Sequence, residues 1–284
     1  MALDAVRSRV PLEWRHRLAR ARLRYRVPTG RWRALPDALI IGAQRAGTSS
    51  LYRYLGAHPG VAPSFRKEVE YFSRYASRGE DWYRAHFELS AGRRHLRFEA
   101  TPDYLFHPLA AERAAVLVPG AKLIALLRDP VERAWSHYRH MVRLGYETLP
   151  FAEALAAEDE RCAPDRARLA EDPDHDAKAL LRYSYVARGR YAPQLAHWLA
   201  RFPRAQLLVL PSARLFEHPA AAYAEVLAFL GLEPWEPPAF ANVSRTPGEE
   251  SAPPMDVAGQ RFLADAFASD SHDLEAIGID DGTA

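Results

Sequence analysis

Residues Gly42-Ala43-Gln44-Arg45-Ala46-Gly47-Thr48-Ser49-Ser50 follow directly on the apolar run Ala38-Leu39-Ile40-Ile41. A strand that enters a glycine-containing loop and then opens a helix aims backbone N–H groups and the positive end of a helix dipole at one anion. From Gly42 to Gly47 the loop nearly spells the nucleoside-triphosphate motif G-x-x-x-x-G-K-[ST]. The lysine that would reach terminal phosphates is absent. Thr48 stands in its place, and the cation sits inside the loop as Arg45. That relocation points to a bound anion other than a triphosphate. A second phosphate grip is spelled by Arg128 and Ser136, eight positions apart. A guanidinium holds a phosphate through two parallel N–H bonds, and a hydroxyl adds a further donor. Asp129 is better explained as a helix cap, with Pro130 in the first turn behind it.

The elements that must position these groups can be read from the apolar pattern. Ala38 to Ile41 is a buried strand, and Thr48 to Leu55 is the helix after the loop, ended by His58-Pro59-Gly60. His95 to Glu99, Lys122 to Leu127 and Gln206 to Leu210 are further strands. Helices are expected from Pro130 to about Val142, along the face of Tyr191, Leu195, Trp198, Leu199 and Phe202, and from about Ala220 to Leu230. Continuous apolar strands alternating with helices indicate an α/β fold: a P-loop-like parallel sheet flanked by helices on both faces, in a single domain. Ligands in such sheets bind at the carboxyl ends of strands. Arg45 and Arg128 both lie just past such ends and can share one crevice. Residues 156–178, rich in charge, read as a solvated helix or loop or as a mobile lid, 233–254 as a proline-rich loop, and Gly278 onward as a frayed tail.

The chain has 284 residues, nearly half of them apolar, which is enough for a full core. A formal charge of +2 argues against a general polyanion binder, so no nucleic-acid partner is expected. Cys162 is the sole cysteine, so no intrachain disulfide can form. No apolar stretch approaches a membrane span and the N-terminus lacks a signal-peptide core, which places the expected location in the cytoplasm. Residues 1–33 carry ten arginines against Asp4 and Glu13 and read as a basic N-terminal arm before a domain at 34–284. The arm is either a solvated helix laid on the domain or a peripheral contact with an anionic membrane.

Taken together, these segments resemble the sulfotransferases that use 3′-phosphoadenosine 5′-phosphosulfate (PAPS), closest to the heparan-sulfate-type and bacterial branch. Gly42 to Ser50 looks like that family's 5′-phosphosulfate loop, and Arg128 to Ser136 like its 3′-phosphate motif. Between them, Lys67-Glu68-Val69-Glu70-Tyr71-Phe72 is similar to the branch's Lys-Glu-x-x-Phe-Phe. The likeness runs from about residue 36 to 276 and includes Glu99 to Tyr104, Tyr191 to Trp198 and Pro253-Pro254-Met255. It implies PAPS as co-substrate, 3′,5′-bisphosphate (PAP) as product, and no metal. It implies that Arg45, Ala46, Gly47, Thr48, Ser49 and Ser50 hold the 5′-phosphosulfate, that Arg128 and Ser136 hold the 3′-phosphate, and that Glu68 is the general base. The resemblance also implies a catalytic role for Arg45, in the place of the lysine that stabilises the leaving oxygen, a task arginine is expected to do less well. The acceptor would carry a hydroxyl on a glycan, a glycolipid or a small metabolite. Two departures stand out: the family usually has lysine at Arg45, and many relatives have lysine at Ala100. Arginine keeps the charge but its planar group aims differently. Lys67, beside Glu68, could restore a cation.

Plainer readings accompany these. Glu68 could be an ion-pair partner of Lys67, Glu70 is its neighbouring competitor, and Glu99 either lines the site or ends a strand. His58, His86, His107, His137 and His140 are alternative bases, and Arg245 a further donor contact. Tyr71 and Phe72 read as core packing. At the level of the whole chain, the alternatives are a divergent P-loop kinase or NTPase and a non-catalytic nucleotide-binding module.

Overall fold

The computed structural model describes residues 22–91, 95–243, 254–268 and 274–279. Most of the basic arm, Arg245 and Pro253 lie outside the described residues.

Five strands form a parallel sheet: β1 (Ala38–Gly42), β2 (Val61–Pro63), β3 (Leu96–Ala100), β4 (Lys122–Leu127) and β5 (Leu207–Pro211). Their spatial order is β2-β3-β1-β4-β5, so the loop-bearing strand is central. β1 is buried along its whole length, as a strand covered on both faces must be, and this explains its unbroken apolar run. β2 escapes a reading by pattern: it has three residues, ends in Pro63 and sits at the sheet edge, where a missing N–H is tolerated.

The helices are α1 (Thr48–Ala57), α2 (Glu80–Arg84), α3 (Ala110–Leu117), α4 (Pro130–Arg143), α5 (Phe151–Ala156), α6 (Glu158–Glu171), α7 (Lys178–Tyr183), α8 (Tyr191–Leu199), α9 (Ser212–Glu217), α10 (Pro219–Leu230) and α11 (Val257–Ala266). α4 starts as expected, with Pro130 in its first turn and Asp129 accepting the Glu132 N–H at 2.7 Å. The main core wraps the sheet. A second apolar cluster of Ala134, Met141, Phe151, Leu155, Tyr185, Leu263 and Phe267 clamps α4 against α5 and α11.

One expectation is refined and one corrected. Residues 158–171 form a helix with a buried face: Glu158, Cys162 and Leu169 point inward, and Glu158 accepts the backbone N–H groups of Val186 and Ala187 at 2.6 and 2.8 Å. The chain is not frayed at Gly278–Ile279, because Ile279 is 1% exposed and packs into the main core, while the rest of the expected tail, 280–284, lies outside the described residues.

Candidate functional site

The segments that follow all five strands contribute to one cavity of about 840 Å³. The loop after β1 contributes Gln44, Arg45, Gly47, Thr48 and Ser49, and the segment after β2 contributes Lys67 and Glu68. Pro102 follows β3, Arg128 and Asp129 follow β4, and Ser212 and Phe216 follow β5. This is the crevice where doubly wound sheets bind ligands, because chain reversal there leaves strand ends and helix starts uncovered. The size falls within the range of a site for a nucleotide-sized molecule.

The cradle is built tightly. Gly47 precedes α1 with φ of 99°, a region that favours glycine, and a Cβ there would come within 2.8 Å of the Phe216 ring. Arg45 sits at φ 70°, an uncommon backbone for a residue with a side chain. Its Nε donates to Ser136 Oγ at 3.0 Å, so the two phosphate-motif residues meet across 91 positions of sequence. Arg128 donates to Glu132 Oε2 at 3.1 Å and weakly to the Arg45 carbonyl at 3.4 Å. Tyr191 on α8 fixes the end of β4 by donating to the Arg128 carbonyl at 2.8 Å.

Glu68, also in the cavity lining, has a positive φ, 60°, and its N–H is tied to the Ala100 carbonyl at 2.9 Å. The side chain is half exposed and pairs with Lys67 at 2.5 Å. His140, one turn beyond Ser136 on α4, faces the same cavity. Arg143 donates to its Nδ1 at 2.8 Å, which leaves the ring proton of neutral His140 on Nε2. Burial and the charges of Arg45 and Arg143 push His140 down to about 4, so it is neutral at pH 7.

The other candidate acids and bases are engaged elsewhere. Glu70 lies between Arg74 and Arg66 at 3.2 and 3.6 Å, and burial raises its carboxyl. Glu99 is fully buried and accepts from Tyr83, Thr101 and Tyr104 at 2.6, 2.8 and 2.9 Å, where it ties the end of β3 to an aromatic cluster containing Tyr71 and Phe72. His58 accepts the Gly60 N–H at 2.9 Å, His86 stacks on Phe65, and His137 is wholly buried. His107 Nδ1 accepts the Leu109 N–H at 3.3 Å.

A family model described as a sulfotransferase domain matches residues 35–243. The chain belongs to the sulfotransferase family. It is 35% identical over 207 residues to the human bifunctional heparan sulfate N-deacetylase/N-sulfotransferase 3, across 70% of this chain and 23% of that protein. The chain therefore spans about a quarter of the length of such bifunctional relatives. It is 41% identical over 116 residues to the membrane-associated sulfotransferase kil1 of Dictyostelium discoideum, across 40% of this chain and 25% of that protein. The crystal structure of a sulfotransferase from Alicyclobacillus acidocaldarius aligns with a TM-score of 0.71 and 32% identity, covering 87% of this chain and 97% of that one.

In this sulfotransferase the residues expected at the site divide into two groups. Arg45, Gly47, Thr48, Ser49, Glu68 and Arg128 line the cavity. Ala46, Ser50 and Ser136 are buried in its wall: the Ala46 carbonyl accepts from Ser212 Oγ at 2.9 Å, and Ser50 Oγ accepts the Val243 N–H at 3.2 Å. Sequence reasoning missed Ser212, Phe216, Asn242 and Val243. The first two follow the end of β5, so the strand-end rule could have found them. Asn242 and Val243 come from the proline-rich loop and carry no local signal.

Proposed function

We propose that the enzyme transfers a sulfuryl group from PAPS to an acceptor hydroxyl, with Glu68 as general base. The observation that carries this reading is the shared cavity: the Arg45 loop, the start of α1, Arg128, and Glu68 with Lys67 all line it. The loop and helix start suit the 5′-phosphosulfate, and Arg128 the 3′-phosphate, whose charge would draw the guanidinium from Glu132. The acceptor oxygen attacks sulfur while its proton passes to Glu68. The bond from sulfur to the bridging phosphate oxygen breaks, and PAP leaves with the added negative charge. Arg45 meets that charge. Once Glu68 is protonated, Lys67 loses its partner and is a second cation for the departing phosphate. His140, neutral with its proton on Nε2, serves as a donor rather than as the base.

The heparan sulfate named for the human relative supports a glycan acceptor, and the open, charged cavity suits a sugar hydroxyl better than an apolar one. The cytoplasm remains the proposed location. The reading is tested by incubating the protein with radiolabelled PAPS and a panel of glycan, glycolipid and small hydroxyl acceptors. Transfer insensitive to EDTA is expected, and failure both to bind PAPS and to transfer label rejects the proposal. Glu68→Gln should lose at least ~10²-fold in kcat with donor affinity kept, since a positioned base contributes about that much. Turnover near the native value would hand the proton to another group.

A further inference from the structure

The described end of the basic arm does not simply dissolve its charge in solvent. Arg26 and Arg33 both direct a guanidinium at the carbonyl of Phe87, Arg33 Nη1 at 3.0 Å. Arg22 and Arg26 both approach the Phe65 ring, with guanidinium carbons 4.8 and 5.2 Å from its centroid. One carbonyl, one ring and the Thr29 hydroxyl, which accepts from Arg33 Nε at 3.1 Å, are poor compensation for three cations. No carboxylate among the described residues pairs with Arg22, Arg26 or Arg33. Glu80, on the neighbouring α2, is taken by Arg84, and Arg84 Nη1 donates to the Arg33 carbonyl at 2.6 Å. Glu88 is taken by Arg97 and His95. The Arg26 Nε atom is buried with no hydrogen-bond partner. Burial, followed by the charges of Arg33 and Arg22, holds Arg26 down to about 10. A protein gains nothing in stability from gathering like charges around a buried, unfilled donor, because such groups repel and the donor loses its water.

We infer that Arg22, Arg26 and Arg33 form a second anion site, separate from the catalytic cavity, that takes a sulfate or phosphate monoester group. Three guanidiniums offer convergent forks, and a tetrahedral oxyanion can accept from several of them at once. Its charge would offset the repulsion and its oxygens would fill the open donor. The site is joined to the catalytic wall, because Phe65 lies three residues before Glu68, at most roughly 11 Å along the chain. An occupant would brace the segment that holds the proposed base.

The test is calorimetric titration of the full chain with sodium sulfate, beside the double variant Arg22→Gln/Arg26→Gln and the cavity variant Arg128→Ala. The native protein should show two classes of site. The double variant should weaken one class by roughly tenfold or more, the scale of a lost charge-assisted contact, and leave the other; Arg128→Ala should do the reverse. The cavity reading can therefore fail alone. Thermal melts guard against misfolding: without sulfate the double variant should melt no lower than the native protein, and it should lose part of the sulfate-induced rise. If its packing suffers, the single variant Arg22→Gln, which removes an exposed side chain, gives the same readout. A sulfate isotherm unchanged in the double variant overturns the inference, whatever Arg128→Ala does. Two further arms identify the source. Glucose 6-sulfate and glucose 6-phosphate binding that depends on Arg26 assigns a soluble ester, and Arg26-dependent sedimentation with phosphatidic acid vesicles assigns a lipid headgroup. Failure of both esters and vesicles to bind overturns it as well.

Discussion

Arg45 stands where the family usually has lysine, and the geometry gives that exchange a physical meaning. Its Nε already serves Ser136 at 3.0 Å, while the side chain lines the cavity. A guanidinium can hold Ser136 with one nitrogen and present others, whereas a lysine ammonium has a single centre that must choose. Arg45→Lys is therefore expected to lower kcat about tenfold, with a smaller change in donor Kd; single-turnover kinetics separate the two. A rise in turnover would mean that arginine is a compromise at this position. Arg128 suggests an effect of the opposite sign. Its guanidinium rests on Glu132, whose side chain is largely exposed, so a 3′-phosphate must displace that carboxylate. Glu132→Gln should tighten PAP binding several-fold in a calorimetric titration, with little change in melting temperature, because an exposed i,i+4 pair contributes only a few tenths of a kcal/mol. Weaker binding would show that Glu132 orients Arg128 and does not compete for it.

At the scale of elements, the site depends on how α4 is held, since this one helix carries Ser136, His140 and Arg143. Its outer side rests on the cluster built from α5 and α11. Gly259 in α11 lies against Phe151, and a Cβ there would come within 2.4 Å of the ring. Gly259→Val should overpack this contact, cost about 1–3 kcal/mol, and lower the melting temperature measured by calorimetry. Catalysis should fall with it only where α4 shifts. The same elements show what a sequence can disclose. β1 and β4 are legible because burial on both faces demands unbroken apolar runs, and the start of α4 because Asp129 and Pro130 have local roles. β2 is not legible, since three residues ending in proline look like a turn. Glu68 was reached through its motif, not its chemistry, for an exposed Lys67–Glu68 pair is ordinary by residue type. Phe216 and Val243 join the cavity through tertiary contacts, which leave no mark on local pattern.

The molecule as a whole should respond to acid through its buried and half-buried histidines, in the cavity lining and outside it. His86 is buried against Phe65 and Trp82, and burial, then the charges of Arg66 and Arg26, pushes it down to about 4. His107 is pushed to about 4 by burial, with Arg113 and Arg188 adding to the shift and Asp103 opposing it. In the unfolded chain both return to about 6.5. Above that pH neither state holds the proton, so their contribution to stability is complete and flat. Between about 6.5 and 4 the unfolded chain binds protons that the folded chain refuses, and stability falls as pH falls. Each histidine accounts for a loss on the order of 3 kcal/mol at the acid end. Asp103, held low by Arg188 against the raising effect of burial, acts later: its contribution is present above the ordinary aspartate range and is lost only below it. Melting temperature should thus be level from pH 8 to 7 and decline steadily below 6.5. His86→Phe keeps a ring beside Phe65 but removes both the titration and the hydrogen bonding to the Trp82 and Tyr83 carbonyls. It should start less stable at pH 7 and show a shallower acid limb. A native profile that stays level down to pH 4, or an unchanged slope in the variant, would mean that these rings are already hydrated enough to take up protons in the folded state.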